Sequence, residues 1–165
     1  MLATRFTELV GCRVPIQQAA MGTLAKPRLA AAVANAGGLG SVSSYGISPE
    51  LVASLLDEAT RATTGPVCAN FINMGHHDAG KVREAVAVAA EHAPVVDFFY
   101  SDPDPALVGI VHRHRALACW QVGSVDEARA AADAGCDFII AQGVEAGGHV
   151  RGTTGLLPLL DAVLE

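Results

Sequence analysis

The sequence predicts an α/β fold in which parallel strands alternate with helices. Three observations support this prediction. Short apolar runs begin roughly every 21 to 29 residues, and each is followed by a segment that reads as a helix. Hydrophobic residues make up 51% of the 165-residue chain and aromatic residues only 5%, which is typical of alanine-rich helices packed on valine- and isoleucine-rich strands. Glycine, proline or an N-cap residue marks most of the boundaries.

Six apolar runs are predicted as buried strands of a parallel sheet. In chain order they cover residues 14–21, 38–42, 66–72, 95–100, 117–122 and 137–141. The first run ends in a turn at Gly22, and the second contains Gly38 and Gly40, at which a neighbouring backbone or a ligand could come close. The cluster 37–40 follows a helix and opens a strand, which is the reverse of a dinucleotide fingerprint. We therefore predict no phosphate loop there.

A helix is predicted after each strand. Four of the helices cover residues 27–36, 79–91, 125–134 and 154–165, and the other two begin at Ser48 and Asp104. Pro27 lies in a first helical turn, where proline is tolerated. Asp78 is a predicted N-cap, and Ser124 and Glu127 are predicted to form a capping box. A closed barrel has eight such βα units and about 250 residues, so six units predict an incomplete barrel.

Charge and composition argue against several classes of protein. The net charge is −6, which favours neither nucleic acid nor an anionic membrane surface. No apolar stretch approaches the ~20 residues of a membrane span, and the N-terminus lacks a signal-peptide core. The expected location is therefore cytoplasmic. The cysteines lack metal-ligand spacing and are predicted to be reduced, structural thiols; they are Cys12, Cys68, Cys119 and Cys136.

No metal site is predicted. His76 and His77 are adjacent in a loop, which makes them a poor chelate, and no third ligand is close in sequence. His112 and His114 fall at a helix C-terminus, where cationic side chains suit the helix dipole. We interpret both pairs as solvated side chains.

The most informative stretch is 141–152, which follows the sixth predicted strand. Gln142 opens it, Gly147 and Gly148 allow a sharp bend and close approach of a ligand, and His149 follows at once. Ligands bind at the carboxyl ends of strands in α/β proteins. From the loop alone, a ligand site and a glycine-rich loop with an exposed histidine both remain open.

Side-chain amides interrupt four of the six apolar runs. A buried amide must find hydrogen-bond partners, and several of them near carboxyl ends suggest a shared polar ligand. Without an acid cluster or a Ser/His/Asp set, the pattern suits a neutral heterocycle such as a flavin. The amides are Gln17 or Gln18, Asn70, Gln121 and Gln142.

These residues carry a family resemblance that spans nearly the whole chain. The stretch 141–149 (AQGVEAGGH) resembles the flavin-site motif of the nitronate monooxygenases, formerly called 2-nitropropane dioxygenases. Other segments agree in order and spacing; they are 15–22 (PIQQAAMG), 35–40 (NAGGLG), 69–71 (ANF) and 122–135 (VGSVDEARAAADAG). The resemblance implies a (β/α)8 TIM-barrel type of fold, with residues 1–165 as a single FMN-binding barrel domain that lacks its C-terminal units.

The resemblance also implies an activity and a set of site residues. The activity is oxidation of alkyl nitronates or nitroalkanes by FMN and dioxygen, with a carbonyl compound and nitrite as products. His149 would be the catalytic base, because an imidazole titrates near neutral pH and an α-carbon beside a nitro group is acidic. The residues implied at the cofactor are Ala20, Met21, Gly22, Asn70, Gln121, Gln142, Gly147 and Gly148.

Two departures from the family pattern keep alternatives open. Gln121 stands where many members carry a lysine, and the family chain is about twice as long, with its last units holding the FMN phosphate. One alternative is a flavin-type enoyl-acyl-carrier-protein reductase, whose site stretch also resembles Glu-Ala-Gly-Gly-His. The other is a truncated, non-catalytic remnant of a flavin barrel. The expected partners are small molecules, and a homo-oligomer paired through open barrel edges is a further expectation.

Overall fold

Five parallel strands form a single sheet in the computed structural model, which describes residues 3–44, 46, 48–72 and 78–165. Each strand pairs in parallel with the next one along the chain, so the order in the sheet is β1-β2-β3-β4-β5. The strands are β1 (Gly40–Ser43), β2 (Val67–Ile72), β3 (Val95–Phe99), β4 (Leu117–Val122) and β5 (Phe138–Ala141). The predicted βα alternation is confirmed from β1 onwards.

Helices connect the strands, and their N-caps follow the prediction closely. Asp78 Oδ1 accepts a hydrogen bond from Lys81 N at 3.0 Å, and Ser124 Oγ accepts one from Glu127 N at 3.2 Å. The helices are α1 (Arg5–Val10), α2 (Pro27–Ala36), α3 (Pro49–Arg61), α4 (Ala79–His92), α5 (Pro105–Arg113), α6 (Val125–Asp133) and α7 (Leu156–Leu164), with a 3-10 turn at Gly22–Leu24. The sequence analysis did not predict α1.

The first predicted strand, 14–21, was wrong. The described chain forms a single isolated bridge there, between Gln17 and Leu39. Pro15 has no N–H to give to a ladder, and the chain turns into the 3-10 helix directly afterwards. The Gln18 side chain partly replaces the missing ladder, because its Nε2 donates to Ser41 O at 3.1 Å and its Oε1 accepts from Ser41 N at 3.4 Å.

The face of the sheet that is covered by the helices carries the larger part of the core. Aromatic side chains of three adjacent strands stack there, with ring centroids 6.0 Å apart for Phe71–Phe98 and 4.6 Å apart for Phe98–Trp120. Trp120 is fully buried, and its Nε1 donates to Ser101 O at 3.1 Å. This layer fixes the helices against the sheet and leaves the opposite face to form the interior of the barrel.

Helix α1 closes the amino-terminal end of that interior. Phe6 packs edge-to-face on Phe138 at a centroid distance of 5.6 Å, and Val10 joins a small buried cluster with Leu39 and Val95. Apolar side chains therefore fill the interior below the strand ends, and polar side chains can reach a ligand only at the carboxyl end. Among the described residues, no helix is long and apolar enough to cross a bilayer.

Gly40 is required where α2 crosses β1. A Cβ atom at this position would lie 2.0 Å from the backbone oxygen of Ala30. We expect Gly40→Ala to lower the free energy of unfolding by about 1–3 kcal/mol, because neither backbone can withdraw without repacking the core. Urea denaturation of both proteins measures this change.

Gly109→Ala is the matched control. A Cβ atom there would meet nothing closer than an Arg113 side-chain nitrogen at 3.8 Å, and Gly109 lies inside α5. Alanine in a helix interior should raise stability by about 0.4–1 kcal/mol. Equal stabilities for Gly40→Ala and the wild-type chain would contradict the close contact between α2 and β1.

Candidate active site

The carboxyl ends of the strands meet at one edge of the sheet, and polar side chains gather near it. Asn70 lies on β2 at the same register as Ser43 on β1 and Asp97 on β3. Gln121 lies two residues beyond Cys119, the partner of Asp97 on β4, so it faces the same side of the sheet. The parallel sheet thus brings side chains from separate units to a common interior face.

The carboxylate of Asp97 is the centre of a buried polar network. Gln17 Nε2 donates to Asp97 Oδ2 at 2.8 Å, and Asn70 Nδ2 donates to Asp97 Oδ1. Asp97 is only 5% exposed and Asn70 only 6%. The network therefore links the first unit, β2 and β3 through one carboxylate that is shielded from water.

Burial controls the ionisation of this network. It raises the pKa of Asp97 to about 6, and the hydrogen bonds from Asn70, Cys68 and Gln17 only partly offset it. The pKa values of the Cys68 and Cys119 thiols are raised well above their usual range, first by burial and then by the charge of Asp97. Both thiols are therefore protonated at neutral pH, which agrees with their prediction as structural residues.

Gln142 is buried and organises the loop that follows β5. Its Nε2 donates to His149 O at 2.9 Å, and its Oε1 accepts from Arg151 N at 3.3 Å. Both ends of the Gln142 amide are therefore hydrogen-bonded to the backbone, one before and one after residue 150. The predicted flavin contact of Gln142 stays a prediction, and the role that the structure shows for its side chain is to hold this loop.

His149 is exposed at the mouth of the site, beside the loop that follows β3. Its ring lies edge-to-face on the ring of Tyr100, with centroids 5.6 Å apart and planes at 66°. Tyr100 has a φ of +65°, an uncommon conformation for a residue other than glycine. The imidazole is therefore supported on one side and open to a ligand or to water on the other.

Arg151 ties the same loop to two neighbouring units. Its guanidinium donates to Glu127 at the start of α6 and to Asp102 in the β3–α5 loop. The hydrogen bond with Glu127 is the main reason that the pKa of Arg151 is raised. Glu127 also accepts from Gly123 N at 2.7 Å, so the predicted capping box is only half formed. The Glu127 carboxylate accepts from Arg151 and from Gly123 N, and not from the Ser124 backbone N–H that a capping box requires.

Glu145 lies within the conspicuous stretch 141–152, but its carboxylate caps a helix. Its Oε2 accepts from Leu156 N, the first residue of α7, at 3.0 Å. A Cβ atom at Gly143 would lie 2.4 Å from the backbone nitrogen of Leu156, which explains the glycine there. Gly147 and Gly148 behave differently, because a Cβ atom at either position would meet nothing within 4 Å.

Comparison with known proteins decides the family. A sequence profile of nitronate monooxygenase matches residues 3–165. The chain belongs to the nitronate monooxygenase family. A nitronate monooxygenase of Pseudomonas aeruginosa PAO1 is 32% identical over 90% of this chain and 52% of its own length. This membership makes the chain part of an oxidoreductase family, as the sequence analysis expected.

Two further matches fix the fold and widen the range of reactions. The structure of FabK from Thermotoga maritima superposes with a TM-score of 0.90 at 30% identity, over 99% of this chain and 51% of that one. A (3aS,4S,5R,7aS)-5-hydroxy-7a-methyl-1-oxo-octahydro-1H-indene-4-carboxyl-CoA dehydrogenase of Mycobacterium tuberculosis H37Rv is 36% identical over 98% of this chain and 45% of its own length. The chain spans about half the length of the proteins that it matches, and the predicted α/β barrel type is confirmed.

One buried side-chain atom bears directly on whether a flavin fits this site. The side-chain oxygen of Asn70 is buried and has no hydrogen-bond partner among the described residues. An unpartnered buried acceptor is costly unless a donor arrives, and a flavin ring supplies an N–H. The residues present therefore fit a flavin.

For the other predicted cofactor residues, the structure gives a position and an exposure but no contact that points to a flavin. Met21 is 46% exposed and Gly22 begins the 3-10 turn, beyond the bridge at Gln17, while Ala20 is half-buried. The Gln121 side chain is half-buried and hydrogen-bonds to no other described residue. Their contacts to a cofactor stay predictions. His76 and His77 lie outside the described residues.

Sequence reasoning missed three residues that shape the site. Tyr100 and Arg151 support the His149 loop, and Asp97 is the centre of the buried network to which Gln17 donates. An aspartate inside the apolar run VVDFF was a usable signal, because a buried acid is rare without partners. Part of the amide pattern is used within the protein: both ends of Gln18 and Gln142 bond to the backbone, and Gln17 Nε2 bonds to Asp97. Among the described residues, the Asn70 oxygen is a buried amide atom without a partner.

Proposed function

We propose that this chain carries the catalytic strand ends of an FMN-dependent nitronate monooxygenase, which oxidises alkyl nitronates and nitroalkanes with dioxygen to a carbonyl compound and nitrite. The observation that carries the proposal is the exposed imidazole of His149 on the same sheet edge as the unpartnered oxygen of Asn70. The first supplies a base at the mouth of the site, and the second an acceptor for a flavin N–H.

The chain's own residues account for the proton step. His149 takes the α-proton of a neutral nitroalkane at a ring nitrogen, and Tyr100 supports the edge of the imidazole. Gln142 and Arg151 hold the loop, so the base keeps its place while substrate enters. FMN, when bound by Asn70 and the glycines, supplies the electron acceptor for the nitronate. A cytoplasmic location is part of the proposal, supported by cysteines that are all free thiols.

The first test is the colour of the purified chain. We expect visible flavin absorbance, either as isolated or after addition of FMN and removal of the excess, and FMN in the heat-released supernatant. Gly147→Val should bind less FMN, because a branched side chain would fill the open space beside it. Chain that stays colourless with added FMN would contradict the proposal and favour a non-catalytic remnant.

A second candidate is redox chemistry on a thioester. The carboxyl-CoA dehydrogenase of Mycobacterium tuberculosis is more similar to this chain than the nitronate monooxygenase of Pseudomonas aeruginosa, at 36% against 32% identity. The enoyl-acyl-carrier-protein reductase expected as the alternative also acts on a thioester. Oxygen uptake with a preformed nitronate supports the first candidate. Reduction of the flavin by NAD(P)H and turnover of an enoyl thioester support the second.

A further inference from the structure

The hydrogen-bonding chemistry of Asp97 dictates the orientation of the Asn70 amide. An ionised carboxylate has only acceptors, so each amide that meets it must present an N–H. Gln17 Nε2 meets one carboxylate oxygen at 2.8 Å, and Asn70 Nδ2 meets the other. With its nitrogen held by Asp97, Asn70 must turn its carbonyl oxygen away from the carboxylate.

The side-chain oxygen of Asn70 is therefore available to accept a hydrogen bond from a ligand. Asn70 is 94% buried, and its Oδ1 has no partner among the described residues. A buried acceptor without a donor costs about 1–3 kcal/mol of folding stability. A ligand that supplies an N–H would recover this cost. The oxidised isoalloxazine ring has a single N–H, at N3, so its pyrimidine edge is the part of a flavin that matches this acceptor.

We propose that Asp97 is a positioning residue, which holds the Asn70 amide so that its oxygen accepts the N3–H of a bound flavin. This inference rests on the proposed function, because it takes the ligand to be a flavin. Both carboxylate oxygens of the buried Asp97 are bonded to Gln17 and Asn70, so it acts through the amide and does not touch the reacting atoms.

The surroundings of Asp97 make this arrangement depend on pH. The groups that face it are the thiols of Cys68 on β2 and Cys119 on β4 and the amides of Gln17 and Asn70. No cationic side chain among the described residues pairs with it. Burial raises its pKa to about 6. Below that pH the protonated carboxyl group can donate a hydrogen bond, and the Asn70 amide is then free to turn.

A binding cycle with riboflavin tests the inference, with flavin fluorescence quenching as the measurement at pH 8. Asp97→Asn and Asn70→Ala should each raise Kd by about 2- to 12-fold, the equivalent of one neutral hydrogen bond. If Asp97 acts through Asn70, the double variant is no weaker than Asn70→Ala alone. Losses that add would overturn the inference. Asp137→Asn, at the opposite end of the sheet, is the matched control and should leave Kd unchanged.

A modified ligand tests the same contact from the other side. 3-Methylriboflavin has no N3–H, so it should bind the wild-type chain about 2- to 12-fold more weakly than riboflavin. The two ligands should bind Asn70→Ala equally well. Equal binding of both ligands to the wild-type chain would overturn the assigned contact.

A titration of the ligand-free chain separates this inference from the proposed function. The side-chain amide resonances of Asn70 in ¹⁵N–¹H NMR spectra should shift with a midpoint near pH 6 in the wild-type chain. They should not shift in Asp97→Asn. Resonances that ignore pH would overturn the inference even if flavin binds. If riboflavin and FMN do not bind but the resonances titrate, the proposed function fails for this chain and the positioning of Asn70 by Asp97 stands.

Discussion

Replacing His149 by asparagine in the FMN-loaded protein is expected to lower turnover of neutral nitroalkanes by about 10²-fold or more, the usual contribution of a general base. Asparagine keeps a polar side chain beside Tyr100 but cannot take a proton at neutral pH. A preformed nitronate has already lost the α-proton, so its turnover should change little. The measurement is oxygen uptake with the neutral and the ionised form of the same nitroalkane.

The difference between the two substrates is the decisive quantity. The His149 backbone is held by Gln142 whatever the side chain is, so the variant should keep the loop in place. A loosened loop, by contrast, would slow turnover of both forms. His114→Asn, at the C-terminus of α5, should leave both rates unchanged and controls for loss of a histidine outside the 141–152 loop. Equal losses of turnover with both forms would contradict the role of His149 as the base and would indicate a structural role instead.

The elements of the fold were predictable because their signals are local. Proline or a cap residue begins five of the helices, and glycines follow two of them, so pattern and spacing were enough. The first strand failed although its apolar pattern was correct. Pro15 has no N–H for a ladder and the chain turns at Gly22, so the described residues form a single bridge there, between Gln17 and Leu39. Helix α1 was missed because its capping box, Thr4 with Thr7, is an unusual pair.

The candidate site could be predicted only in part. Glycines and a histidine after a buried strand pointed to the carboxyl edge of the sheet, near which the structure brings Asn70 and Asp97 together; the contacts of the predicted residues to a cofactor stay predictions. The pairing of Gln17 with Asp97 joins residues 80 positions apart, and Arg151 reaches Asp102 across 49. Such contacts depend on strand register, which spacing along the chain does not reveal. The structure shows the Gln142 side chain holding its loop, and the contact to a cofactor that the sequence assigned to it stays a prediction.

The free energy of unfolding is expected to fall as the pH rises from about 4 to 7, by roughly 3 kcal/mol on account of Asp97 alone. Burial raises the pKa of Asp97 from 3.8 to about 6 in the folded chain. Between these values the folded chain keeps a proton that the unfolded chain has released. The unfolded state thus binds fewer protons, and stability is lost as the pH rises through the folded pKa.

Asp97→Asn isolates this contribution, because the other titrating groups are common to both proteins. The measurement is urea denaturation of each across about pH 4 to 8, and the quantity is the difference between their stabilities. The wild-type chain should lose roughly 3 kcal/mol relative to the variant as the pH rises, with most of the change below pH 7. A constant difference would mean that Asp97 titrates normally. The same ionisation fixes the Asn70 amide, so the loss of stability must level off near the pH at which Asn70 titrates in the NMR spectra, about pH 6. A loss of stability that levels off at a clearly different pH would separate the charge of Asp97 from the orientation of the amide.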